Sequence, residues 1–448
     1  MLAFAALGGC GTLPTIVPDM AAQRARPVRL ESARGPLSAQ QSKAILERLK
    51  NGGEETSIFD RHLALEQGIA DSPLLVGNKV ALLRDGPSTY KAMFAAIRSA
   101  TDYVLMETYI IEDDDVGRQF SDALIERRAR GVEVVLLYDS VGSFSTPKEF
   151  FKRLTDASIK VQEFNPVNPL SAKNGWQVNQ RDHRKLLVVD GRLAFVGGIN
   201  ISSVYSSGSN PGRRGAEGNT PWRDTHLQLE GPVVAEYRKL FAEAWDKQKG
   251  DALSLRGASA PAANAGREVV RAIGSSPDDP YSLIYATLIS AINSSESSIY
   301  LTNAYFVPDP QLLSALISAA QRGVDVKIVL PGKTDSSLVL AAGRSYYEEL
   351  LRGGVKIYER RDALLHAKTA VIDGVWSTIG STNLDWRSFL HNHEINAVVL
   401  SPDFGAQMQA MFDADISASD PISLQKWQQR PLSSRVSEMT ARLWSRWL

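Results

Sequence analysis

The sequence has little cysteine and histidine, no net charge and no long apolar run. One cysteine in 448 residues excludes an intrachain disulfide and any cysteine-rich zinc site. Fifty basic residues balance fifty acidic ones, so no overall charge draws the chain toward nucleic acid. No stretch reaches the ~20 uninterrupted apolar residues that cross a bilayer as a helix. What is left is a globular protein with 44% apolar residues, long enough for two or three domains.

The single cysteine, Cys10, follows a short apolar run that ends in small residues. This arrangement resembles the lipobox of bacterial lipoproteins, in which the cysteine is acylated, although the basic residues of a signal peptide are missing. The alternative is an incidental cysteine in an apolar stretch. We favour the first interpretation, in which residues 1–37 are a lipoprotein signal remnant and tether.

The rest of the chain gives the same order of helices and strands twice. In the first half, a helix that ends just before Gly131 leads into an apolar strand over 132–138. In the second half, a helix that ends just before Gly323 leads into a strand over 324–330. Glycine past the last helical turn supplies the left-handed cap that lets the chain reverse into a strand. Strands that alternate with helices in two copies predict two α/β domains related by duplication.

The segment boundaries follow from these repeats and from the composition between them. Ser38 is placed to cap a helix over 39–50. The stretch between the halves is rich in Gly, Ala, Ser and Pro, which is typical of a flexible linker. The predicted segments are an N-terminal helical segment (38–78), domain 1 (79–250), a linker (251–267), domain 2 (268–430) and a C-terminal amphipathic helix (431–448).

Two short stretches carry the same polar pattern. In each, a lysine follows a histidine by two residues, an aspartate follows the lysine by five, and an asparagine follows the histidine by seventeen. The two copies are His183, Lys185, Asp190 and Asn200, and His366, Lys368, Asp373 and Asn383. Because the chain has only six histidines, two of them in matching frames and matching upstream elements indicate a duplicated half-site.

These residue types favour chemistry on a phosphate diester. Residues two apart on a strand share a face, so each histidine projects on the side of its lysine, and the asparagine returns on the partner strand. Imidazole serves as nucleophile and proton carrier near neutral pH. Lysine offers positive charge to phosphate oxygens, and asparagine adds neutral donors. Two such half-sites around one point would form one site for a phosphate diester.

Four acidic residues are assigned to this site or to its support. Asp190 and Asp373 each precede a glycine between two apolar runs, which predicts a tight β-hairpin. We expect both to hold that turn and not to touch substrate. A catalytic histidine needs a carboxylate to orient it, and Asp224 and Glu394 are the candidates because each opens an apolar strand-like run. Three further histidines lack the paired context and are interpreted as structural: His226, His391 and His393.

With these residues, the chain resembles the phospholipase D superfamily, whose hallmark is this duplicated motif. Within it, the chain is most similar to bacterial cardiolipin synthases of the type without N-terminal transmembrane helices. The resemblance covers about residues 75–430 and includes 179–185, 197–200, 222–226 and 383–389. It implies an α/β fold of two tandem phospholipase D-like sandwich domains, related by a pseudo-twofold axis, with one active site at their interface. It implies no cofactor and no metal, because lysines supply the positive charge.

The same resemblance implies a two-step mechanism. His183 would attack the phosphorus of a phospholipid and form a phosphatidyl-histidine. His366 would protonate the departing alcohol and then deprotonate the incoming one, while the lysines and asparagines of both motifs stabilise the phosphoryl oxygens. The hydroxyl of phosphatidylglycerol would give cardiolipin, and water would give phosphatidic acid.

The expected function is therefore a phosphatidyltransferase that makes cardiolipin from phosphatidylglycerol and a second phospholipid. Its expected partners are phospholipids and a membrane surface, and its expected place is the bacterial envelope, lipid-anchored and facing the periplasm. A phospholipase D-type hydrolase is the near alternative. A nuclease is disfavoured by the neutral charge balance, so nucleic acid is not an expected partner. A non-catalytic envelope lipoprotein is disfavoured because both His-Lys pairs are intact.

Two further segments admit two interpretations each. The stretch 202–221, rich in Ser and Gly, is long enough for a lid or headgroup loop, or is an ordinary surface loop. In the C-terminal helix, apolar residues fall on one stripe, which suits either an interfacial helix or a helix packed on the domain, and packing is the favoured interpretation. The stripe consists of Leu432, Val436, Met439, Leu443 and Trp447.

Overall fold

The computed structural model describes residues 28–51, 58, 62–63, 72–168, 177–207, 220–253 and 263–448. The strands of the first half are β1 (Leu30–Ser32), β2 (Gly35–Pro36), β3 (Leu74–Leu83), β4 (Tyr103–Thr108), β5 (Glu133–Asp139), β6 (Lys160–Phe164), β7 (Arg181–Asp182), β8 (Lys185–Val189), β9 (Leu193–Gly197), β10 (Trp222–Arg223) and β11 (His226–Glu230). Those of the second half are β12 (Glu268–Ser275), β13 (Ser298–Asn303), β14 (Asp325–Pro331), β15 (Lys356–Arg360), β16 (Leu364–Leu365), β17 (Lys368–Ile372), β18 (Trp376–Gly380), β19 (Asn392–Leu400) and β20 (Ser419–Ile422).

Helices join these strands. In the first half they span Ala39–Asn51, Gly86–Ser99, Asp115–Ala129, Lys148–Asp156 and Val234–Lys247, with a short 3₁₀ turn at Ser203–Tyr205. In the second half they span Leu283–Ser294, Pro310–Gln321, Ser337–Arg344, Tyr347–Arg352, Trp386–Leu390, Pro402–Ser417, Leu424–Gln428 and Leu432–Arg442, with a 3₁₀ turn at Ser445–Trp447. Carboxylates cap several of them: Asp85, Asp114 and Asp309 each accept a hydrogen bond from a backbone N–H of the first turn.

The two halves contain the same seven-stranded sheet. The strand order is β6-β5-β4-β8-β9-β11-β3 in the first half and β15-β14-β13-β17-β18-β19-β12 in the second. In each sheet the first three strands are parallel and the remaining pairs are antiparallel. The sheets join where β3 pairs with β12, through Glu268 opposite Asn78 and Val270 opposite Leu75. The predicted α/β fold with two tandem domains is confirmed.

The apolar core has three layers. Each half has its own outer core, in which helices such as Gly86–Ser99 and Leu283–Ser294 pack on one face of their sheet. Between the two sheets lies an inner core to which both halves contribute, with Tyr237 and Met408 from the two enclosed helices fully buried. Burial of both faces explains why the central strands read as continuous apolar runs and not as alternating ones.

The predicted turns have the backbone that their sequences require. Gly131 and Gly323 have φ of 87° and 96°, which are the left-handed caps expected after the helices that precede them. At the two Asp-Gly hairpins both residues have positive φ: 52° and 61° at Asp190 and Gly191, and 50° and 63° at Asp373 and Gly374. This pair of values is typical of the type I′ turn, which matches the twist of a hairpin.

Several boundaries differ from those predicted. Residues 30–36 lie in the predicted tether but form a small hairpin, because buried Leu30 pairs with Leu74 at the start of β3. Strand β3 itself begins inside the predicted helical segment. Residues 1–27, with Cys10, and 254–262 of the linker lie outside the described residues.

The prediction that the C-terminal stripe packs on the domain is wrong. Leu432, Met439 and Leu443 of this segment are 75%, 67% and 79% exposed, whereas Glu438 and Ala441 on the other side are buried. Periodicity defines a stripe but does not determine which side of the helix meets the protein. Within the described part of the chain, no helix is both long enough and apolar enough to span a membrane.

The hairpin aspartates give a stability prediction. The Asp373 carboxylate is buried and accepts hydrogen bonds from the backbone N–H groups of Glu296, Ser297 and Ser298 at 2.8–3.0 Å, which locks the β17–β18 hairpin to the start of β13. We expect Asp373→Ala to lower the free energy of unfolding by ~3 kcal/mol, because several N–H groups lose a charged acceptor. Asp373→Asn keeps one oxygen and tolerates positive φ, so it should lose less. Equal denaturation midpoints for wild type and Asp373→Ala would contradict this role.

Candidate active site

The site forms where the two repeated motifs face each other, and its two histidines are oriented crosswise. Nδ1 of His183, from the first half, lies 3.1 Å from both carboxylate oxygens of Glu394, from the second half. Nδ1 of His366, from the second half, lies 2.7 Å from Oδ2 of Asp224, from the first half. An ionised carboxylate only accepts, so each Nδ1–H donates and each Nε2 keeps its lone pair. Both imidazoles are thereby held in the tautomer that suits a nucleophile or base.

Two short strands that pair across the halves place each histidine beside its carboxylate. Strand β7, just before His183, runs parallel to the start of β19, and the His183 N–H donates to the carbonyl of His393 at 2.9 Å. Strand β10, just before Asp224, runs parallel to β16, and the His366 N–H donates to the carbonyl of Arg223 at 2.8 Å. Backbone pairing between the halves therefore fixes both His–carboxylate distances.

A buried ionic network stabilises the pairing of β10 with β16. The Arg223 guanidinium forms a bidentate pair with Asp415 at 3.0 and 2.8 Å, and it also donates to the carbonyl of Asp224 at 2.9 Å. Arg360 hydrogen-bonds to the same Asp415 carboxylate from another strand. All these side chains are nearly inaccessible to solvent. The network ties the segment that carries Asp224 to the second half.

The two motif lysines lie inside the site. Lys185 and Lys368 are buried, and each Nζ donates to the carbonyl of the histidine two residues before it, at 2.5 Å in the first motif. Burial, together with the charge of Lys368 and against the attraction of Glu394, lowers the pKa of Lys185 to about 7. Burial also lowers the pKa of Lys368. Because the pKa of both lysines is lowered, an anion bound beside them would stabilise their charged forms.

The histidines and their carboxylates are shifted in a consistent way. Burial lowers the pKa of His183 to about 4, although Glu394 opposes the shift, and burial together with Lys368 lowers the pKa of His366. Burial would raise the pKa of Glu394, but His183, Lys185 and a hydrogen bond from Ser381 hold it at about 2. Lys368 and His366 likewise hold the pKa of Asp224 below its usual value against burial. Among the protein's own groups, both imidazoles are therefore neutral and both carboxylates ionised near pH 7.

The two motif asparagines differ in their surroundings. Asn200 accepts a hydrogen bond from the Ile110 N–H and donates from Nδ2 to the Tyr205 hydroxyl, both at 3.2 Å. That hydroxyl lies 3.3 Å from Nδ1 of His366, so Asn200 helps to place a ring beside the second histidine. Asn383 is buried, and its Oδ1 has no hydrogen-bond partner among the described residues.

Three tyrosines beside the histidines were not predicted from the sequence. The Tyr109 ring meets the His183 imidazole edge to face, with centroids 5.0 Å apart, and Lys185 Nζ lies 5.0 Å from its centre. Tyr305 meets His366 in the same way at 6.1 Å, and Tyr205 meets it from the other half at 6.1 Å. Tyr109 and Tyr305 follow equivalent strands of the two repeats, so alignment of the halves could have identified them.

The other predicted residues lie away from the histidines or outside the description. Asp190 and Asp373 occupy the turns at the far ends of β8 and β17, where they bind backbone N–H groups. His226 is buried behind the site, where burial lowers its pKa to about 3. Of the segment 202–221, residues 208–219 lie outside the described residues, and 203–205 form the turn that carries Tyr205. No group of three or more potential metal ligands occurs within the described residues.

Known proteins are similar to this chain in sequence and in fold. The family model described as "Cardiolipin synthase, PLD-like domain" matches residues 93–245 and 288–416, which contain both motifs. A cardiolipin synthase of Geobacillus sp. (strain WCH70) is 37% identical over 385 residues, or 86% of this chain and 75% of its own. Cardiolipin synthase A of Pseudomonas fluorescens is 37% identical over 376 residues, or 83% of this chain and 75% of its own.

Solved structures support the fold at low sequence identity. The phosphatidylserine synthase of Haemophilus influenzae superposes with a TM-score of 0.64 at 12% identity, over 86% of this chain and 99% of that one. The polyphosphate kinase of Porphyromonas gingivalis superposes with a TM-score of 0.51 at 10% identity, over 83% of this chain and 52% of that one. At such identities the likeness concerns the fold alone.

The low pKa of Lys185 predicts the pH dependence of phosphodiester turnover. Lysine carries its charge below its pKa and loses it above, so we expect kcat/KM to fall as pH rises through about 7. Arginine stays protonated, so Lys185→Arg should remove this limb, although at a lower maximal rate. The control is Lys327→Arg on β14, outside the site, which should leave the profile unchanged. The same basic limb in wild type and Lys185→Arg would exclude Lys185 as its source.

The crosswise carboxylates predict a strong, non-additive effect. Glu394→Gln should lower kcat by ~10³-fold, because the His183 imidazole loses the charge that fixes its tautomer and supports its protonated form. In a His183→Ala background the same change should cost little more, since both residues act as one unit. Glu359→Gln is the matched control, because Glu359 is equally buried but pairs with Arg344 outside the site. Single-turnover kinetics of the wild type and the four variants would test this, and an equal loss in Glu359→Gln would contradict it.

Proposed function

The chain belongs to the family of cardiolipin synthases with phospholipase D-like domains, and we propose that it makes cardiolipin from phosphatidylglycerol and a second phospholipid through a phosphatidyl-histidine. It is thus a phosphatidyltransferase. The observation that carries the proposal is the pair of facing imidazoles, each held at Nδ1 by a carboxylate of the other half, with two buried lysines beside them. That set of groups fits a double displacement at phosphorus.

In the first step, Nε2 of His183 attacks the phosphorus of the donor lipid. The new N–P bond forms as the P–O bond to the donor's alcohol breaks, and His366, which is protonated at Nε2 while the anionic substrate is bound, gives that alkoxide its proton. In the second step, His366 takes the proton of the incoming hydroxyl, whose oxygen attacks phosphorus while the N–P bond breaks. Each imidazole ends as it began, so no group outside the site is consumed.

The surrounding charges support these steps. Lys185 and Lys368 would neutralise the non-bridging phosphoryl oxygens, with Asn383 adding an amide donor. Asn200 would act mainly by holding Tyr205 against the second histidine. The two lysines and two carboxylates nearly cancel, so an entering phosphodiester anion favours protonation of one imidazole. Substrate binding would therefore favour the protonated form of His366, which then serves as the acid of the first step. The proposed catalytic set is His183, Lys185, Asn200, Asp224, His366, Lys368, Asn383 and Glu394.

We further propose that the enzyme works at a membrane of the bacterial envelope. Its substrates are lipids, and Cys10 follows a run that resembles a lipobox, which would anchor the chain on the periplasmic side. Residues 1–27 lie outside the described structure, so this part of the proposal rests on the sequence alone.

Lipid analysis of cells without cardiolipin synthases of their own tests the function. Cells with the wild-type chain should accumulate cardiolipin, and cells with His183→Ala should not. His391→Ala is the control, because this half-buried histidine lies outside the catalytic set and should preserve the product. Phosphatidic acid without cardiolipin would make the protein a hydrolase. No lipid change with wild type would contradict the proposal and lead to assays with nucleic-acid diesters.

Trapping the intermediate tests the mechanism separately. Purified enzyme mixed with phosphatidylglycerol that carries ³²P and quenched within one turnover in mildly alkaline detergent, which preserves the N–P bond, should retain label on the peptide with His183. Label on the peptide with His366 would reverse the two roles. Unlabelled protein during active turnover would exclude the covalent route.

A further inference from the structure

The C-terminal segment carries its apolar residues on the outside. Six of its large apolar side chains are more than half exposed: Leu432, Val436, Met439, Leu443, Trp444 and Trp447. The side of the helix that meets the protein is small or polar, with Glu438, Ala441 and Ser445 buried. This is the reverse of an ordinary surface helix, which turns its apolar stripe toward the core.

Specific contacts hold the helix in this orientation. Arg430 pairs with the buried Glu438 carboxylate at 2.8 Å, and the Arg442 guanidinium lies 4.2 Å from the centre of the Tyr346 ring. At the chain end, the Arg387 N–H donates to the carbonyl of Leu448 at 3.0 Å. The apolar side is therefore presented to solvent by a docked helix.

The other exposed apolar side chains lie at the same end of the molecule as the catalytic groups. Parallel strands β4, β5, β6 and β14 point their carboxyl ends toward the site, and the loops that follow them surround it. Outside the C-terminal segment, the described residues include six large apolar side chains that are more than a third exposed. All six lie in loops or first helical turns at this end: Val141, Phe144, Val167, Val178, Val204 and Leu338.

The opposite end of the molecule provides the contrast. Its turns contain Gly131 and Gly323 after basic residues, and Asp190 and Asp373 in the hairpins. None of the large, strongly exposed apolar side chains among the described residues lies in those turns. In the part of the chain that the structure describes, the large exposed apolar side chains are thus found at the end with the motif histidines, which marks an interaction surface.

Short chains of contacts connect this surface to the site. The Ser143 hydroxyl, next to Phe144, donates to the carbonyl of Tyr109, whose ring rests on His183. On the other side, Arg387 binds Leu448 through its N–H, and its guanidinium reaches the carbonyl of Asn179 at 3.5 Å, next to Val178. The apolar rim and the C-terminal helix therefore flank the same site.

We propose that the C-terminal helix and this apolar rim form a docking surface that lies on an anionic phospholipid leaflet and turns the active site toward the lipid headgroups. Arg435 and Arg446 are exposed beside the stripe, without an ion pair among the described residues, and they complement anionic headgroups. Trp444 and Trp447 are indoles of the kind enriched at the membrane–water boundary. The proposal rests on the proposed function, because it takes the substrate to be a lipid held in that leaflet.

Vesicle binding tests the surface independently of catalysis. Full-length chains, all with Cys10→Ser so that no acyl group anchors them, are sedimented with vesicles of phosphatidylglycerol and phosphatidylcholine. Met439→Ser/Leu443→Ser should weaken binding by roughly 100-fold, because two large apolar contacts are lost. Ser433→Ala/Ser437→Ala, on another face of the same helix, should bind as wild type. Arg435→Gln should weaken binding to vesicles that contain phosphatidylglycerol. Its binding to vesicles of pure phosphatidylcholine should equal that of the wild type.

A soluble substrate separates docking from chemistry. With short-chain phosphatidylglycerol below its micelle concentration, Met439→Ser/Leu443→Ser should turn over at the wild-type rate, whereas on vesicles it should be slower by the factor lost in binding. Vesicle binding equal to wild type would overturn the proposal. A wild-type dimer that this variant converts to a monomer would also overturn it, since the stripe would then cover a second copy. No turnover by any protein, with the binding difference intact, would refute only the proposed function.

Discussion

Each of the two motif histidines depends on a carboxylate from the opposite half, and much of the structure supports that crosswise contact. Glu394 orients His183 across the interface, and Asp224 orients His366 in return. Neither half contains a complete pair, so the site exists only when the two sheets are joined. The seam between β3 and β12, the short strands that pair across the halves and the shared inner core all keep the two distances near 3 Å.

The price of this arrangement is a cluster of buried ionisable groups. Transfer of an ion from water to a protein interior costs roughly several kcal/mol even after the protein relaxes around it, unless neighbouring charges or hydrogen bonds compensate. Here two lysines and two carboxylates compensate one another, and burial keeps both imidazoles neutral. The balance is incomplete, since the pKa of Lys185 is lowered to about 7. A bound phosphodiester would complete the balance, so the charges of the site are well matched to an anionic ligand.

The motif histidines and the exposed apolar side chains lie at the same end of the molecule. The proposed catalytic histidines and lysines lie at the start of β8 and β17, beside the carboxyl ends of the parallel strands, while the opposite turns are held by Asp190 and Asp373 and contribute stability. Apolar side chains that a soluble enzyme would bury are exposed around the catalytic end and along the C-terminal helix. An enzyme that acts on a lipid held in a bilayer, as proposed for this chain, needs such a surface, because the reacting phosphate lies within the headgroup layer.

Local rules allowed much of this protein to be predicted from its sequence. Alternation along a strand puts each histidine beside its lysine, and Asp-Gly and helix-ending glycines define turns through their own backbone preferences. The duplicated motif thereby identified both half-sites and the α/β repeat. Tertiary structure alone decided which carboxylate serves which histidine, because residues some 140 to 210 positions apart meet through strand pairing. It also decided that Tyr205 lies against the histidine of the other half. Finally, it decided that the C-terminal stripe faces outward, since a helical period has no information about its neighbours.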